Sequence, residues 1–317
     1  MHALLDPALL FFLVGVIAAS LKSNLEIPPA ISRFLSLYLL MALGLKGGFA
    51  LSQSGFTHDV VISLGSALVL AVVVPLMGFN LLKYFLSGFD AAAVAATYGS
   101  VSAVTFVTAV QYLENNGTNY GGHMAAAMAL MESPAIILAV VLANRFRAQS
   151  KTHSVALKTI LHESFTDGAQ LLLLGAMLVG LLSGEAGKTA MQPFSGDLFK
   201  GMLAFFLLDM GLLTARSISQ LQGVSWGLIA YALVAPVVHA SLALVLCLAL
   251  GIPQGNTTLL MVLAASASYI AVPAVLRTAI PEAKPSLYFG MSLGITFPLN
   301  LLVGIPCYHW IAHQLIA

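Results

Sequence analysis

Two short polar stretches interrupt long apolar runs, and their side chains are the ones best suited to bind a small ion. Residues 97–105 read Thr-Tyr-Gly-Ser-Val-Ser-Ala-Val-Thr, and residues 265–273 read Ala-Ser-Ala-Ser-Tyr-Ile-Ala-Val-Pro. Hydroxyl residues beside glycine or proline predict interrupted helices, because they cap helix ends or stop regular hydrogen bonding. Each interruption frees N–H groups, which suit an anion, and carbonyls, which suit a hard cation such as Na⁺. We therefore expect one ion site where two broken helices meet inside a membrane.

Four further positions could add oxygen ligands to this site. Glu132 is the only carboxylate well inside its apolar run, and a carboxylate in the membrane indicates function, here as a cation ligand or a proton-coupling group. Ser133 follows it directly. Thr296 and Asn300, in the last apolar run, either ligate the same ion or hydrogen-bond neighbouring helices.

The charged residues limit what this site can hold. No Lys or Arg lies near the expected midplane, so a small monovalent anion beside a cation is favoured over a multivalent anion. Lys46 lies towards the end of its run and is predicted to snorkel to the membrane interface. Asp209 is predicted to have a structural role between helices. The serines lie in no Gly-x-Ser-x-Gly motif and near no histidine in sequence, so the chain is not expected to be an enzyme.

The composition defines the elements that must position these residues. Of the 317 residues, 59% are hydrophobic and only 8% are charged, whereas soluble domains carry about 25% charged residues. The chain is therefore predicted to be an all-α polytopic protein of the lipid bilayer, since its apolar runs are too long for a transmembrane barrel. No nucleic-acid partner is expected.

Ten apolar segments are long enough to cross a bilayer, which takes about 20 residues. They are Leu5–Lys22, Pro29–Leu51, Asp59–Leu86, Asp90–Leu113, Gly121–Arg145, Asp167–Leu182, Gly196–Thr214, Val224–Leu250, Asn256–Ile280 and Lys284–Ile311. Of the 13 basic residues, all but Lys46, Lys188 and Lys200 then lie on one side of the membrane. The positive-inside rule therefore predicts that both termini are outside.

The longest connection divides the spans into two equal sets. Residues 1–143 hold five spans, residues 144–166 form a basic cytoplasmic linker, and residues 167–317 hold the other five. Five is an odd number, so the second set must cross the membrane upside down relative to the first. The architecture predicted is a 5+5 inverted repeat in which spans 4 and 9 are broken.

Matching residues in the two sets support the repeat. Ser102 and Ser268 are 166 residues apart, as are Ser100 and Ser266. The glycines at positions 44 and 211 are 167 apart and lie in similar Leu-Gly-Leu and Met-Gly-Leu strings. An offset that drifts so little indicates weak internal homology.

Several strings closely resemble the cyanobacterial sodium-dependent bicarbonate transporter family (SbtA type). They are LEIPP at 25–29, FLSLYLL at 34–40, KGG at 46–48 and ATYGSVSAVTF at 96–106. The resemblance implies Na⁺-dependent bicarbonate uptake for a carbon-concentrating mechanism at the inner (plasma) membrane. It also implies a homotrimer, an elevator-like motion of a core domain (spans 3, 4, 5, 8, 9 and 10) against a gate domain (spans 1, 2, 6 and 7), and a cytoplasmic PII-like regulator (SbtB type).

The resemblance also assigns site residues by position. The substrate candidates are Tyr98, Gly99, Ser100, Ser102, Ser266, Ala267 and Ser268. For Na⁺ the resemblance points to Thr105, Glu132 and Ser133, and the residues themselves add Ser102, Ser268, Thr296 and Asn300 as candidate ligands.

Two other functions remain open on the residues alone. One is Na⁺-coupled transport of another small monovalent anion. The other is a passive anion channel, which should line a continuous polar path, whereas the polar residues here cluster at one depth. A receptor whose output is the PII-like protein has only the basic linker in its favour.

Overall fold

The computed structural model describes residues 6–55, 57–149, 162, 166–218, 221 and 224–316. In this part of the chain all regular structure is helical. The helices are α1 (Pro7–Ser20), α2 (Pro29–Ser54), α3 (His58–Leu82), α4 (Gly88–Gly99), α5 (Ala103–Asn115), α6 (Met124–Gln149), α7 (Gly168–Met191), α8 (Phe199–Ile218), α9 (Trp226–Leu250), α10 (Gln254–Ala265), α11 (Ala271–Ala279) and α12 (Pro285–Leu315). Most of the predicted linker, including Lys151 and Lys158, lies outside the described residues.

Local sequence explains where several helices begin and end. Asp6 precedes a proline and caps α1, and Asp167 caps α7 by accepting hydrogen bonds from two N–H groups of its first turn. Gly251 ends α9 in the left-handed conformation, with φ of 67°, which glycine adopts without steric cost. Gly184 departs from helical geometry inside α7, with φ of 54°, close to the predicted end of span 6.

Seven helical stretches in the described chain are long and apolar enough to cross a membrane on their own. This number differs from the ten spans predicted at three places. Helix α1 has only 14 residues, and α7 and α8 lie in one helical stretch of 51 residues, joined by a π-helical turn at Gln192–Asp197. Span 9 is divided into α10 and α11, which have 12 and 9 residues. Span 1 is therefore too short, spans 6 and 7 are counted as one stretch, which is bent at Gly184, and span 9 is broken.

Glycines bring two pairs of helices into close contact. A Cβ atom at Gly211 of α8 would lie 2.1 Å from the Phe12 carbonyl oxygen of α1. A Cβ at Gly48 of α2 would lie 2.1 Å from the Met177 carbonyl oxygen of α7, and one at Gly44 would lie 2.4 Å from that of Leu173. Larger residues at these positions would force the backbones apart. Since residue numbers rise together in α2 and α7, the two helices run parallel.

Helix α4 is buried from Asp90 to Gly99 and is contacted by α3, α6, α10, α11 and α12. Its run of alanines lets α3 and α6 approach closely. Asp90 begins this buried stretch, and its carboxylate accepts hydrogen bonds from the Ser87 hydroxyl at 2.8 Å and from the Lys284 N–H at 2.8 Å. The start of α4 is thereby tied to the start of α12.

A buried arginine anchors the short helix α11. Arg147, at the end of α6, is 2% exposed and donates from Nε and Nη2 to the two carboxylate oxygens of Glu282, at 2.8 and 2.6 Å. Nη2 also donates, at 2.9 Å, to the carbonyl oxygen of Ala279, which is the last residue of α11. The guanidinium thus satisfies a free carbonyl at the helix end and places a positive charge at the negative end of the helix dipole.

We expect Glu282→Gln to lower the free energy of unfolding by about 1 kcal/mol near pH 7, because it weakens the pair with the buried Arg147, while the partly exposed carboxylate is screened by solvent. The Arg147 hydrogen bonds lower the pKa of Glu282 below its ordinary value of 4.5. The folded protein therefore binds this proton less readily than the unfolded chain, so the stabilisation is present above that value and is lost as the pH falls through the lowered pKa. Chemical denaturation in detergent should show the gap between wild type and variant narrowing in acid.

The matched control is Glu185→Gln. Glu185 faces Lys188 at 3.6 Å with its side chain 65% exposed, so its loss should change stability little. A gap between Glu282→Gln and wild type that stays constant into acid would contradict this account of the pair.

Candidate functional site

The first polar stretch interrupts the helix between Gly99 and Ala103, as predicted. Ser100 has an extended backbone, with φ of −92° and ψ of −173°, and α5 then starts anew. Ser102 caps α5, because its Oγ accepts from the Thr105 N–H at 3.2 Å and from the Thr105 hydroxyl at 2.9 Å. The N–H groups of the first α5 turn point out of the break at the positive end of the helix dipole.

The second polar stretch interrupts the helix between Ala265 and Ala271, again as predicted. Ser266 leaves the helix with ψ of 162°, and its hydroxyl donates to the Leu263 carbonyl oxygen at 2.9 Å. Ser268 accepts from the Val272 N–H at 3.2 Å and so caps the first turn of α11. The two serines predicted to be equivalent, Ser102 and Ser268, thus have the same local role.

The two breaks contact each other through reciprocal hydrogen bonds. The Ser102 N–H donates to Ser266 Oγ at 3.0 Å, and the Ser268 N–H donates to the Thr97 carbonyl oxygen at 2.8 Å. The backbone N–H of each of these two equivalent serines therefore donates a hydrogen bond to the opposite break. These two N–H groups are occupied, which leaves the Ala103 and Val104 N–H groups as the donors at the start of α5.

A cavity of about 60 Å³ lies against the two breaks. Such a volume has room for a few water molecules. From the breaks and α6 it is lined by Val101, Ser102, Ala103, Met128, Glu132, Ser268, Tyr269, Ile270 and Ala271, and from α2 and α7 by Ser36, Leu40, Ala169, Gln170 and Leu173. Three of the predicted site residues, Ser102, Glu132 and Ser268, thus line one cavity.

Sequence reasoning missed the two polar residues that face the breaks from the other side. Gln170 is in the first turn of α7, and its amide interacts with the Glu132 carboxyl. Ser36 is in the second turn of α2. The available signal was a lone amide and a lone hydroxyl within apolar spans, although most such residues bond to their own helix or to a neighbour.

Two predicted Na⁺ ligands hydrogen-bond to neighbouring helices in this structure. The Thr296 hydroxyl donates to the Ala232 carbonyl oxygen at 2.8 Å. This carbonyl has no partner in its own helix, because Pro236, four residues later, has no N–H group. The Thr296 hydroxyl also lies 2.6 Å from the Tyr98 hydroxyl. Asn300 Nδ2 donates to the Ala265 carbonyl oxygen at 2.7 Å, at the end of α10. Both contacts satisfy backbone groups that a kink or a break would otherwise leave unpaired.

The other predicted site residues lie beside the cavity rather than on it. Gly99 packs against the ring of Pro75, where a Cβ would come within 2.5 Å, so packing alone requires this glycine. Four more are buried around the breaks outside the cavity lining: Ser100, Thr105, Ser133 and Ala267. Tyr98 and Ser266 contribute through the hydrogen bonds described above.

Two charged residues that the sequence analysis considered, Lys46 and Asp209, have defined surroundings. The Nζ of Lys46 lies 3.0 and 3.1 Å from the two carboxylate oxygens of Glu114 and 4.2 Å above the ring of Phe199. Asp209 is 4% exposed on α8, next to Met210, whose sulfur accepts from the Tyr269 hydroxyl. Asp209 itself does not line the cavity.

The site suits a monovalent cation held by hydroxyls, carbonyls and one carboxylate. Among the described residues no group of three His, Cys, Asp or Glu side chains could hold a transition metal. Helices long enough to span a membrane, two touching breaks and a small cavity lined by hydroxyls and a carboxylate are typical of polytopic membrane transporters.

Comparison with known proteins gives the family. The model of the Na⁺-dependent bicarbonate transporter superfamily matches residues 7–313, which is nearly the whole chain. The protein belongs to this superfamily, as the resemblance in the sequence predicts. A search of curated proteins finds no match.

Proposed function

We propose that this protein is a sodium-dependent bicarbonate symporter of the inner (plasma) membrane, with both ions bound in the cavity between the breaks. The observation that carries the proposal is the reciprocal pairing of the breaks at a cavity that also contains Glu132. Membership of the superfamily supports both the anion and the coupling ion.

The residues divide by the charge they suit. The N–H groups of Ala103 and Val104 and the hydroxyls of Ser102 and Ser268 are proposed to bind bicarbonate. The carboxylate of Glu132 is proposed to bind Na⁺, with hydroxyls and carbonyls of the breaks completing its ligands. Binding the two ions together reduces the cost of placing either charge inside the membrane.

Two features support the proposed 5+5 inverted repeat, whereas the proposal that both termini are outside rests on the distribution of basic residues. The equivalent residues Ser102 and Ser268 cap equivalent half-helices and pair with opposite breaks. The equivalent residues Gly44 and Gly211 each give close contact with the first helix of the other repeat, α7 and α1. The parallel packing of span 6 and span 2 is also what we expect if the second set of five spans is inverted relative to the first.

We propose an elevator-like mechanism in which a core group slides along a gate group. The gate group is α1, α2, α7 and α8, and the core group is α3 to α6 with α9 to α12. The cavity lies between them, level with Ser36 in the second turn of α2 and Gln170 in the first turn of α7. It is therefore near one end of the gate helices, so a slide along them could carry it to the other side.

The homotrimer, the PII-like regulator on the cytoplasmic side and the role in carbon concentration are proposed on the family resemblance alone. The basic linker where that regulator would be expected lies largely outside the described residues.

Uptake into proteoliposomes tests the proposed function. Purified protein is reconstituted at alkaline pH, where bicarbonate predominates over CO₂, and labelled bicarbonate is supplied with an inward Na⁺ gradient or a matched K⁺ gradient. We expect accumulation above equilibrium only with Na⁺ and only in vesicles that contain protein. Accumulation that does not depend on Na⁺ would contradict symport.

The same vesicles separate the two remaining alternatives. Competition by nitrate, formate or acetate as strong as that by unlabelled bicarbonate would indicate another monovalent anion as the substrate. An ohmic anion current that does not saturate would indicate a channel. Saturable uptake that only bicarbonate inhibits well is the result expected from the proposal.

A further inference from the structure

An ion pair joins the gate group to the core group at the end opposite the cavity. Lys46 of α2 binds both carboxylate oxygens of Glu114, near the end of α5, and the Tyr120 hydroxyl donates to the same carboxylate at 3.0 Å. The ammonium of Lys46 also lies over the ring of Phe199, which is the first residue of α8. The ammonium belongs to the gate group, whereas its anionic partner belongs to the core group.

The ion pair and the cavity are separated by similar distances in the two groups. Along α2, Lys46 is ten residues beyond the cavity residue Ser36, which is about 15 Å of helix. Along α5, Glu114 is twelve residues beyond the cavity residue Ser102, which is about 18 Å. A slide of the core group that moves the cavity towards Lys46 must therefore also move Glu114 away from it.

The proposed internal repeat indicates where such a slide would place the cavity. If the two repeats exchange conformations, the cavity residues Ser36 and Leu40 of α2 are replaced by their equivalents on α8. The offset of 167 residues between Gly44 and Gly211 gives Leu203 and Leu207 as those equivalents. Phe199, on which Lys46 rests, lies one turn before Leu203 on the same face of α8. The exchanged position of the cavity is therefore next to Lys46.

We propose that Lys46 is a substrate-binding residue of the opposite conformation, in which its ammonium pairs with the bound anion. When the core group returns to the position seen here, Glu114 takes the place of the anion as the partner of Lys46. This inference rests on the proposed function and adds to it a residue that the present cavity does not contain.

The exchange of partners accounts for binding on one side and release on the other. The residues that line the cavity carry no positive charge, so in the present conformation the anion has only N–H and hydroxyl donors. A nearby ammonium in the opposite conformation would strengthen anion binding there, because charge-assisted hydrogen bonds are the stronger kind. The Lys46 and Glu114 side chains are 21% and 31% exposed, so their pair is weak enough to break in each cycle.

Replacing Lys46 tests the proposal in the uptake assay. We expect Lys46→Met to raise the KM for bicarbonate about tenfold, while the maximal rate per folded protein stays comparable. Lys46→Arg keeps the charge and should stay close to wild type. The matched control is Lys200→Met, because Lys200 also bonds across the two groups, to Asn115 at 3.0 Å, but its side chain is exposed. It should leave KM unchanged.

A charge exchange separates anion binding from a simple latch. In the double variant Lys46→Glu/Glu114→Lys the ion pair can form again, which the melting temperature should report, but the positive charge now travels with the core group. We expect KM to stay high in this variant. A return of KM to the wild-type value, or a wild-type KM in Lys46→Met, would overturn the proposal. If the wild-type protein instead takes up no bicarbonate, or takes it up independently of Na⁺, the proposed function itself is refuted.

Discussion

Replacing Glu132 with glutamine should lower sodium-driven bicarbonate uptake about 100-fold, as expected for losing a charged ligand worth up to about 3 kcal/mol. Glutamine keeps the size and one carbonyl oxygen, so the cavity stays filled while the negative charge is lost. We expect the concentration of Na⁺ needed for half-maximal uptake to rise by a similar factor. The measurement is the initial rate of uptake in proteoliposomes as a function of Na⁺ concentration.

Asp209→Asn is the matched control for this variant. Both carboxylates lie within membrane spans, but only Glu132 lines the cavity. Asp209→Asn should therefore leave the Na⁺ dependence close to that of wild type, measured per folded protein. Equal loss in the two variants would mean that any intramembrane carboxylate matters, and a wild-type Na⁺ dependence in Glu132→Gln would remove Glu132 from the site.

Replacing Ser102 or Ser268 with alanine should raise the KM for bicarbonate or for Na⁺ about tenfold. Each change removes a hydroxyl that faces the cavity and also caps a half-helix. The lost cap costs about 1 kcal/mol, which is small beside a typical folding free energy of about 5–15 kcal/mol, so both variants should fold and insert. Because the two hydroxyls share one cavity, the double variant should show a non-additive loss.

Ser63→Ala is the control for the serine variants. Ser63 is fully buried on α3, and its hydroxyl lies outside the cavity lining. Uptake by this variant should be close to that of wild type. If Ser102→Ala and Ser268→Ala also transport with unchanged affinities for both ions, the ions bind elsewhere.

The position of both breaks could be predicted from sequence because their causes are local. Hydroxyl residues that cap helices lie at each break, Ser102 at the first and Ser268 at the second. The cavity that unites Ser102, Ser268 and Glu132 was predicted only in outline. The sequence shows that these residues share a depth, but not which of them face the same space.

The residues that sequence reasoning placed less well depend on contacts between distant spans. Gly99 is explained by the ring of Pro75, and Thr296 by the carbonyl that Pro236 leaves free. Gln170 approaches Glu132 only because α7 packs parallel to α2 at the edge of the core group. The pattern of residues within one helix does not carry this information. The pairing of Lys46 with Glu114 could likewise not be predicted, because it depends on how the gate group and the core group lie relative to each other.

A density map of the protein loaded with bicarbonate and Na⁺ tests the central claim most directly, which is that the cavity between the two breaks is the transport site. The account predicts anion density within hydrogen-bonding distance of Ser102 and Ser268 and cation density next to Glu132. Ligand density elsewhere in the protein, with this cavity empty under saturating ions, would contradict it.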